Sequence, residues 1–153
     1  MSTIIKAPES LVFDHRTSVF LAGSIAGGTA QNWQDRIIES LSNEEVVLVN
    51  PRRNSWDKSW KQDIDSPQFN EQVNWELEAL ERSDIIVMYF DVSTKSPISL
   101  LELGLFAKSQ KLIVCCPDGF WRKGNVDIVC ERYRIEQVEE LEDLVNEIRK
   151  KIK

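Results

Sequence analysis

Four short runs of this chain are apolar at every position: Val19-Phe20-Leu21-Ala22, Val46-Val47-Leu48-Val49, Ile85 to Phe90 and Leu112 to Cys115. A strand without polar alternate residues has no face to give to water, so both of its faces must be covered. Segments of helical period separate the runs. Asn32–Leu41 places Trp33, Ile37, Ile38 and Leu41 on one stripe, and Asn70–Arg82 does the same with Val73, Leu77 and Leu80. Ser99–Lys108 forms the next helix, and Val138–Ile152 the last, with Val138, Leu141, Leu144, Val145, Ile148 and Ile152 as its stripe. Acidic residues crowd the start of that last helix and lysines its end, as the helix dipole favours. Buried strands alternating with helices predict an α/β sandwich of three layers around a mostly parallel sheet of about five strands. The fifth strand is expected at Tyr133–Ile135, and residues 1–16 as an arm or a first edge element.

At 153 residues the chain suits one domain, with no linker, repeat or low-complexity segment. The excess of 25 acidic over 19 basic side chains argues against a partner that is polymeric nucleic acid. The three cysteines, Cys115, Cys116 and Cys130, lack CxxC spacing, and there is a single histidine, so neither a disulfide framework nor a metal site is expected. The N-terminus carries no basic and apolar leader, and no run reaches the roughly 20 apolar residues that span a bilayer. A cytoplasmic location without membrane contact is the expectation.

In an open α/β sheet the ligand sits beyond the carboxyl ends of the strands. Four loops lie there: Gly23–Ala30, Asn50–Trp60, Asp91–Ser99 and Pro117–Asn125. The first, with Gly23 and Ser24, suits close backbone approach or a plain turn, and is neither GxGxxG nor a Walker loop. The second joins Asn50, Arg52 and Arg53 to Trp56, pairing guanidinium forks with a stacking plane. The third runs from Asp91 through Ser93, Thr94 and Ser96. The fourth places Trp121 and Asn125 among glycines and charges.

Two glutamates stand out. Glu76 falls on the apolar stripe of its helix, where a carboxyl is desolvated unless paired. Glu102 lies in Ser99-Leu100-Leu101-Glu102, which reads either as a capping box, with Glu102 returning to the Ser99 amide, or as a nucleophile at the ligand end of the sheet. Of the five tryptophans, Trp33 and Trp75 are placed in helices as packing residues, while Trp56, Trp60 and Trp121 lie in loops where a base can be stacked.

The run from Ser83-Asp84-Ile85-Ile86-Val87 through Asp91 to Leu101-Glu102-Leu103-Gly104-Leu105-Phe106-Ala107 resembles the nucleoside 2-deoxyribosyltransferase family. Val19 to Ser24, Asn50 to Arg53 and Trp121 to Val126 are similar to further parts of it. The resemblance implies a flavodoxin-like, Rossmann-like fold and the exchange of the base of 2′-deoxynucleosides without metal or organic cofactor. It makes Glu102 the nucleophile, with Glu76 and Asp91 as the remaining acids, and 2′-deoxynucleoside and free nucleobase as the ligands. It implies substrate contacts from Phe20, Gly23, Ser24, Asn50, Arg52, Arg53, Trp56, Ser96, Trp121 and Asn125. It further implies a homo-oligomer, tetramer or hexamer, in which Asn125 matches an asparagine that completes a neighbour's site. Phe20 stands where the family often has tyrosine, and Glu76 where it usually has aspartate.

Two other functions are compatible with these residues. A nucleoside 5′-monophosphate N-glycosidase would use the same glutamate with water as acceptor, and its serines, Arg52 and Arg53 to hold the phosphate. A nucleotide-sensing module on the same fold would bind without turnover.

Overall fold

The computed structural model describes residues 1–25, 32–53 and 59–152. Among these, six strands form one sheet: β1 (Thr3–Lys6), β2 (Ser18–Gly23), β3 (Val47–Asn50), β4 (Ile85–Tyr89), β5 (Leu112–Cys115) and β6 (Glu136–Val138). The order is β1-β3-β2-β4-β5-β6 and every pairing is parallel. Without the edge strand β1 this is the doubly wound order of flavodoxin-like folds, whose winding reverses between β2 and β4. Val19 to Gly23 pair there with Ile85 to Tyr89.

Among the described residues five helices cover the sheet: α1 (Trp33–Ser40), α2 (Pro67–Arg82), α3 (Pro97–Phe106), α4 (Lys123–Tyr133) and α5 (Leu141–Lys151). Val19, Leu21, Val87 and Ile113 point to one face, where Trp33 and Ile37 of α1 and Leu144, Val145 and Ile148 of α5 pack on them. Phe20, Ala22, Ile86, Met88 and Val114 point to the other, against Trp75, Ala79 and Leu80 of α2, Leu103 of α3 and Val126 and Cys130 of α4. Alternate residues of one strand thus feed two cores, which is why the four apolar runs have no polar position.

Residues 1–16 supply the first edge element the sequence allowed, the strand β1 beside β3. Other boundaries differ from the sequence reading, most of all after the fourth loop. Helix α4 begins inside the expected fourth loop and runs to Tyr133, so the strand expected at Tyr133–Ile135 does not form there. Three of its apolar residues, Val126, Ile128 and Val129, are β-branched and Gly124 sits in its first turn, so propensity hides it. Tyr133 closes that helix, Arg134 turns the chain at φ 56°, and the last strand falls at Glu136–Val138. Val138 therefore belongs to β6, and the final helix begins at Leu141.

At the amino ends of the central strands, the Asp84 carboxylate accepts from the Ser18 amide at 2.9 Å and the Ser18 hydroxyl at 3.1 Å. The Ser18 hydroxyl oxygen in turn accepts from the Asp84 amide at 3.0 Å. This clamp sets β2 against β4 and leaves their carboxyl ends to build a site. Among the described residues no helix is long and apolar enough to cross a membrane.

Candidate active site

Beyond Gly23 and Tyr89 the two central strands stay close. Gly23 sits at φ +123°, and a Cβ there would lie 2.4 Å from the Tyr89 carbonyl oxygen and 2.7 Å from its nitrogen. Glycine at this position therefore answers to the backbone of β4. Next to it, the Ser24 amide donates to the Tyr89 carbonyl at 2.9 Å, and the Trp33 indole donates to the Ser24 carbonyl at 3.0 Å.

The Ser24 hydroxyl opens a buried network. Its oxygen accepts from the Asp91 amide at 2.8 Å and from the Thr94 hydroxyl at 3.1 Å, and it makes a short bond with the Ser96 hydroxyl. Thr94 and Ser96 are also joined, at 2.7 Å. One Asp91 carboxylate oxygen accepts from the Ser93 amide at 2.8 Å and hydroxyl at 2.6 Å. The loop from Asp91 to Ser96 is thereby tied to the end of β2, and Ser24, Asp91 and Ser96 form one unit.

That loop delivers α3. Ser96 occupies the N-cap position at φ 46°, spends its hydroxyl on Ser24 and Thr94, and is followed by Pro97 at the first helical position. The helix therefore starts before Ser99, and the capping box suggested by Ser99 and Glu102 does not form. Glu102 lies beyond the first turn, facing inward and buried. Burial pushes its carboxyl up to about 7.

Glu76, on α2, is the second buried acid of this layer. Part of the residue reaches solvent, yet protein crowds its carboxyl and lifts it to about 8, with the charge of Glu102 adding to the rise. The two carboxyls are thus near enough to feel each other. A hydrogen bond from Gln72, one turn earlier on α2, opposes the shift.

Gln72 also connects Glu76 to the loop after β3. Its amide nitrogen donates to the Pro51 carbonyl at 3.1 Å, and its carbonyl oxygen accepts from Arg53 Nη1 at 3.3 Å. Arg53 makes an ion pair with Glu71 at 3.5 Å and lies over the Trp60 ring at 5.2 Å. Gln34 of α1 plays the matching part for the other guanidinium, accepting from Arg52 Nε at 3.3 Å. The buried Asn50 side chain accepts from the Arg52 amide at 3.0 Å and so bends the strand end.

The remaining candidates are spread more widely. Phe20 is fully buried beneath α2, its ring 6.5 Å from that of Trp75. Trp121 is about half exposed and donates to the Lys95 carbonyl at 2.9 Å, which sets it beside the Asp91–Ser96 loop, between Lys95 and Arg122. Asn125 is exposed in the first turn of α4. Trp56 lies outside the described residues. Gln34 and Gln72 escaped the sequence reading. The available signal was Gln72 at i−4 from Glu76, a second polar residue on a buried helix face.

A parallel α/β sheet whose ligand edge falls at the reversal between β2 and β4, with two carboxyls raised by burial on α2 and α3, makes these strand ends the candidate site. The family model described as nucleoside 2-deoxyribosyltransferase like matches residues 16–120, and the chain belongs to that family. The match spans β2 to the loop after β5 and so includes Glu76, Asp91 and Glu102. Among solved structures, a conserved protein from Enterococcus faecalis V583 is similar at a TM-score of 0.63 and 17% identity, over 89% of this chain and 99% of that one. At that identity the likeness concerns the fold. No curated protein matches the chain.

Proposed function

We propose that this chain exchanges the base of 2′-deoxynucleosides, with Glu102 as nucleophile and Glu76 as proton donor. The reading is carried by the pair of buried carboxyls, one raised to about 7 and the other to about 8. Environments that push two acids apart divide the roles of base and acid between them. Burial alone raises Glu102, whereas Glu76 is raised by burial and by the charge of Glu102, so Glu102 gives up its proton first.

In the first step a Glu102 carboxylate oxygen attacks C1′ of the sugar. The C1′–N bond breaks, its electron pair leaves with the base, and the base takes the Glu76 proton. The product is an ester of the sugar on Glu102. In the second step the nitrogen of an incoming base attacks C1′ from the face the first base left. Its proton passes to Glu76, and Glu102 departs as carboxylate. Two inversions give net retention, as in retaining glycoside chemistry. Throughout, the carboxylate beside C1′ opposes the positive charge that develops there. Gln72, held by Arg53 and the Pro51 carbonyl, keeps Glu76 oriented for the transfer.

The test is incubation of a deoxynucleoside with a second base, followed by chromatography. The expected result is a new nucleoside, little free sugar and ping-pong kinetics. The rate should follow a bell with limbs near 7 and 8, rising as Glu102 ionises and falling as Glu76 loses its proton. Glu102→Ala should lower the rate by roughly 1,000-fold or more, and retention of over about a tenth of it would remove Glu102 from the chemistry. Release of free base that depends on a 5′-phosphate and needs no acceptor base would instead support the N-glycosidase.

A further inference from the structure

The end of the sheet opposite the candidate active site also has an opening. A cleft of about 370 Å³ lies at the amino ends of β4, β5 and β6, beside the carboxyl ends of α3 and α4. That volume falls in the range of small-molecule sites. Ile85, Ala107 and Leu112 give it a buried apolar lining. Tyr133, 39% exposed, adds an aromatic ring, and Lys108 Nζ lies 5.9 Å from the centre of that ring. The polar lining comes from Asp84, Gln110, Lys111, Arg134, Glu136 and Lys151.

Most of these polar groups already have partners. The Asp84 carboxylate serves Ser18, Lys111 donates to the Glu81 carbonyl at 2.7 Å, and Glu136 pairs with Lys151 at 3.7 Å. Lys111 thereby neutralises the carboxyl end of α2, the ordinary reason for a cation at such a place. Gln110 and Arg134 differ. Among the described residues neither side chain makes a hydrogen bond or an ion pair. Both residues are held in the left-handed region, at φ 63° and φ 56°. Arg134 closes α4, its amide donating to the Cys130 and Glu131 carbonyls while the Ile135 amide donates to Cys130 at 2.8 Å. A helix end of this kind ordinarily takes glycine, which has no Cβ to strain. The chain instead accepts the strain and keeps two polar side chains on the cleft wall. The third described non-glycine residue with such a backbone is Ser96, in the candidate active site.

We infer that this cleft binds a small phosphorylated molecule with a planar ring, of which a nucleoside 5′-monophosphate is a simple form. The ring lies against Tyr133 and the apolar lining, and the phosphate lies between Arg134 and Lys108. A guanidinium fork grips two phosphate oxygens at once, and a second cation suits a dianion better than a lone carboxylate. Lys111, Arg134 and Lys151 line the cleft against Asp84 and Glu136, and Lys108 adds a further positive charge. The cleft is therefore cationic in a chain whose net charge is −6. Helix α3 runs from Ser96, beside the candidate active site, to Ala107 at the cleft, so the two sites are at opposite ends of one helix. The inference uses none of the chemistry proposed above.

Calorimetry and photolabelling test it, both in a Glu102→Gln background so that turnover does not intrude. Adenosine 5′-monophosphate should bind, and adenosine or inorganic phosphate alone should each bind roughly tenfold more weakly or worse. Arg134→Gly should weaken the nucleotide by roughly 30-fold, through loss of a charge-assisted pair of hydrogen bonds. It should melt no lower than its parent, because glycine adopts φ 56° freely. Arg134→Asn, which also tolerates this backbone, should lose the nucleotide alike. On irradiation, 8-azidoadenosine 5′-monophosphate should label the peptide that carries Tyr133, and excess unmodified nucleotide should protect it. No binding at about 5 mM nucleotide overturns the inference. So does undiminished binding by Arg134→Gly and Arg134→Asn, or label confined to peptides from the carboxyl ends of β2 and β4. Inorganic phosphate that binds as tightly as the nucleotide overturns it too, since the ring then contributes nothing.

Discussion

Replacing Glu102 by glutamine should stabilise the protein, and more so as the pH rises. The folded state holds this carboxyl at about 7 against an ordinary 4.5, through burial. Folding then favours the protonated form. The sign follows: the group costs nothing below its unfolded value, costs progressively more from about pH 4.5 to 7, and costs a constant amount above. Each tenfold step in acidity between the two values is worth about 1.4 kcal/mol, so the penalty is about 1 kcal/mol at pH 5 and about 3 kcal/mol at pH 8. The residue is only 6% exposed, so solvent screening does not erase it. Glutamine keeps the shape and removes the ionisation. Any packing or hydrogen-bond difference between the two side chains acts equally at both pH values, and the comparison of pH 5 with pH 8 isolates the charge. A further gain comes from Glu76, which loses the repulsion of its neighbour. In thermal melts the advantage of Glu102→Gln over the native chain should be a few degrees at pH 5 and roughly 6–12 °C at pH 8, for a domain of this size. An advantage that does not grow with pH, or a variant less stable at pH 8, would refute the burial of this carboxyl and with it the basis of the proposed reaction.

Two other outcomes follow from the strand ends and from the core. Gly23→Ala should destabilise by about 3 kcal/mol or more in denaturant titration, since its Cβ would overlap the Tyr89 carbonyl and the backbone is at φ +123°; a cost below about 1 kcal/mol would mean that β2 and β4 separate easily here. Cys115, Cys116 and Cys130 are buried, and burial lifts their thiols to about 12, 11 and 12. The native protein should therefore resist an aromatic disulfide reagent at pH 8 and react fully only once unfolded, and fast labelling without denaturant would contradict the packing around β5 and α4.

Much of the layer plan was legible because burial on two sides leaves a plain mark. Val19–Ala22, Val46–Val49, Ile85–Phe90 and Leu112–Cys115 each correspond to a parallel strand within a residue or so. The stripes around Trp33, Val73 and Leu144 likewise announced α1, α2 and α5. What escaped lacked such a mark. Helix α4 mixes valine, isoleucine and glycine, whose local preferences oppose a helix that packing on the sheet sustains. Ser-Leu-Leu-Glu looked like a capping box because spacing alone cannot say where a helix starts. Proline at 97 and the hydroxyl bonds of Ser96 move the start upstream and free Glu102 for another role.

By itself the sequence determined the fold class, the family and the two glutamates, since each depends on residue types at short spacing along one element. Only the tertiary structure decided that Glu76 and Glu102 share an environment, that Gln72 carries Arg53 to Glu76, and that Ser24, Thr94 and Ser96 close on one another. It also decided that Leu101 and Leu105 face outward while Glu102 faces in. The physical reason is the same in each case. A carboxyl's acidity and a helix's exposed side depend on which distant segments the parallel crossovers bring alongside, and that proximity is written in no single stretch of chain.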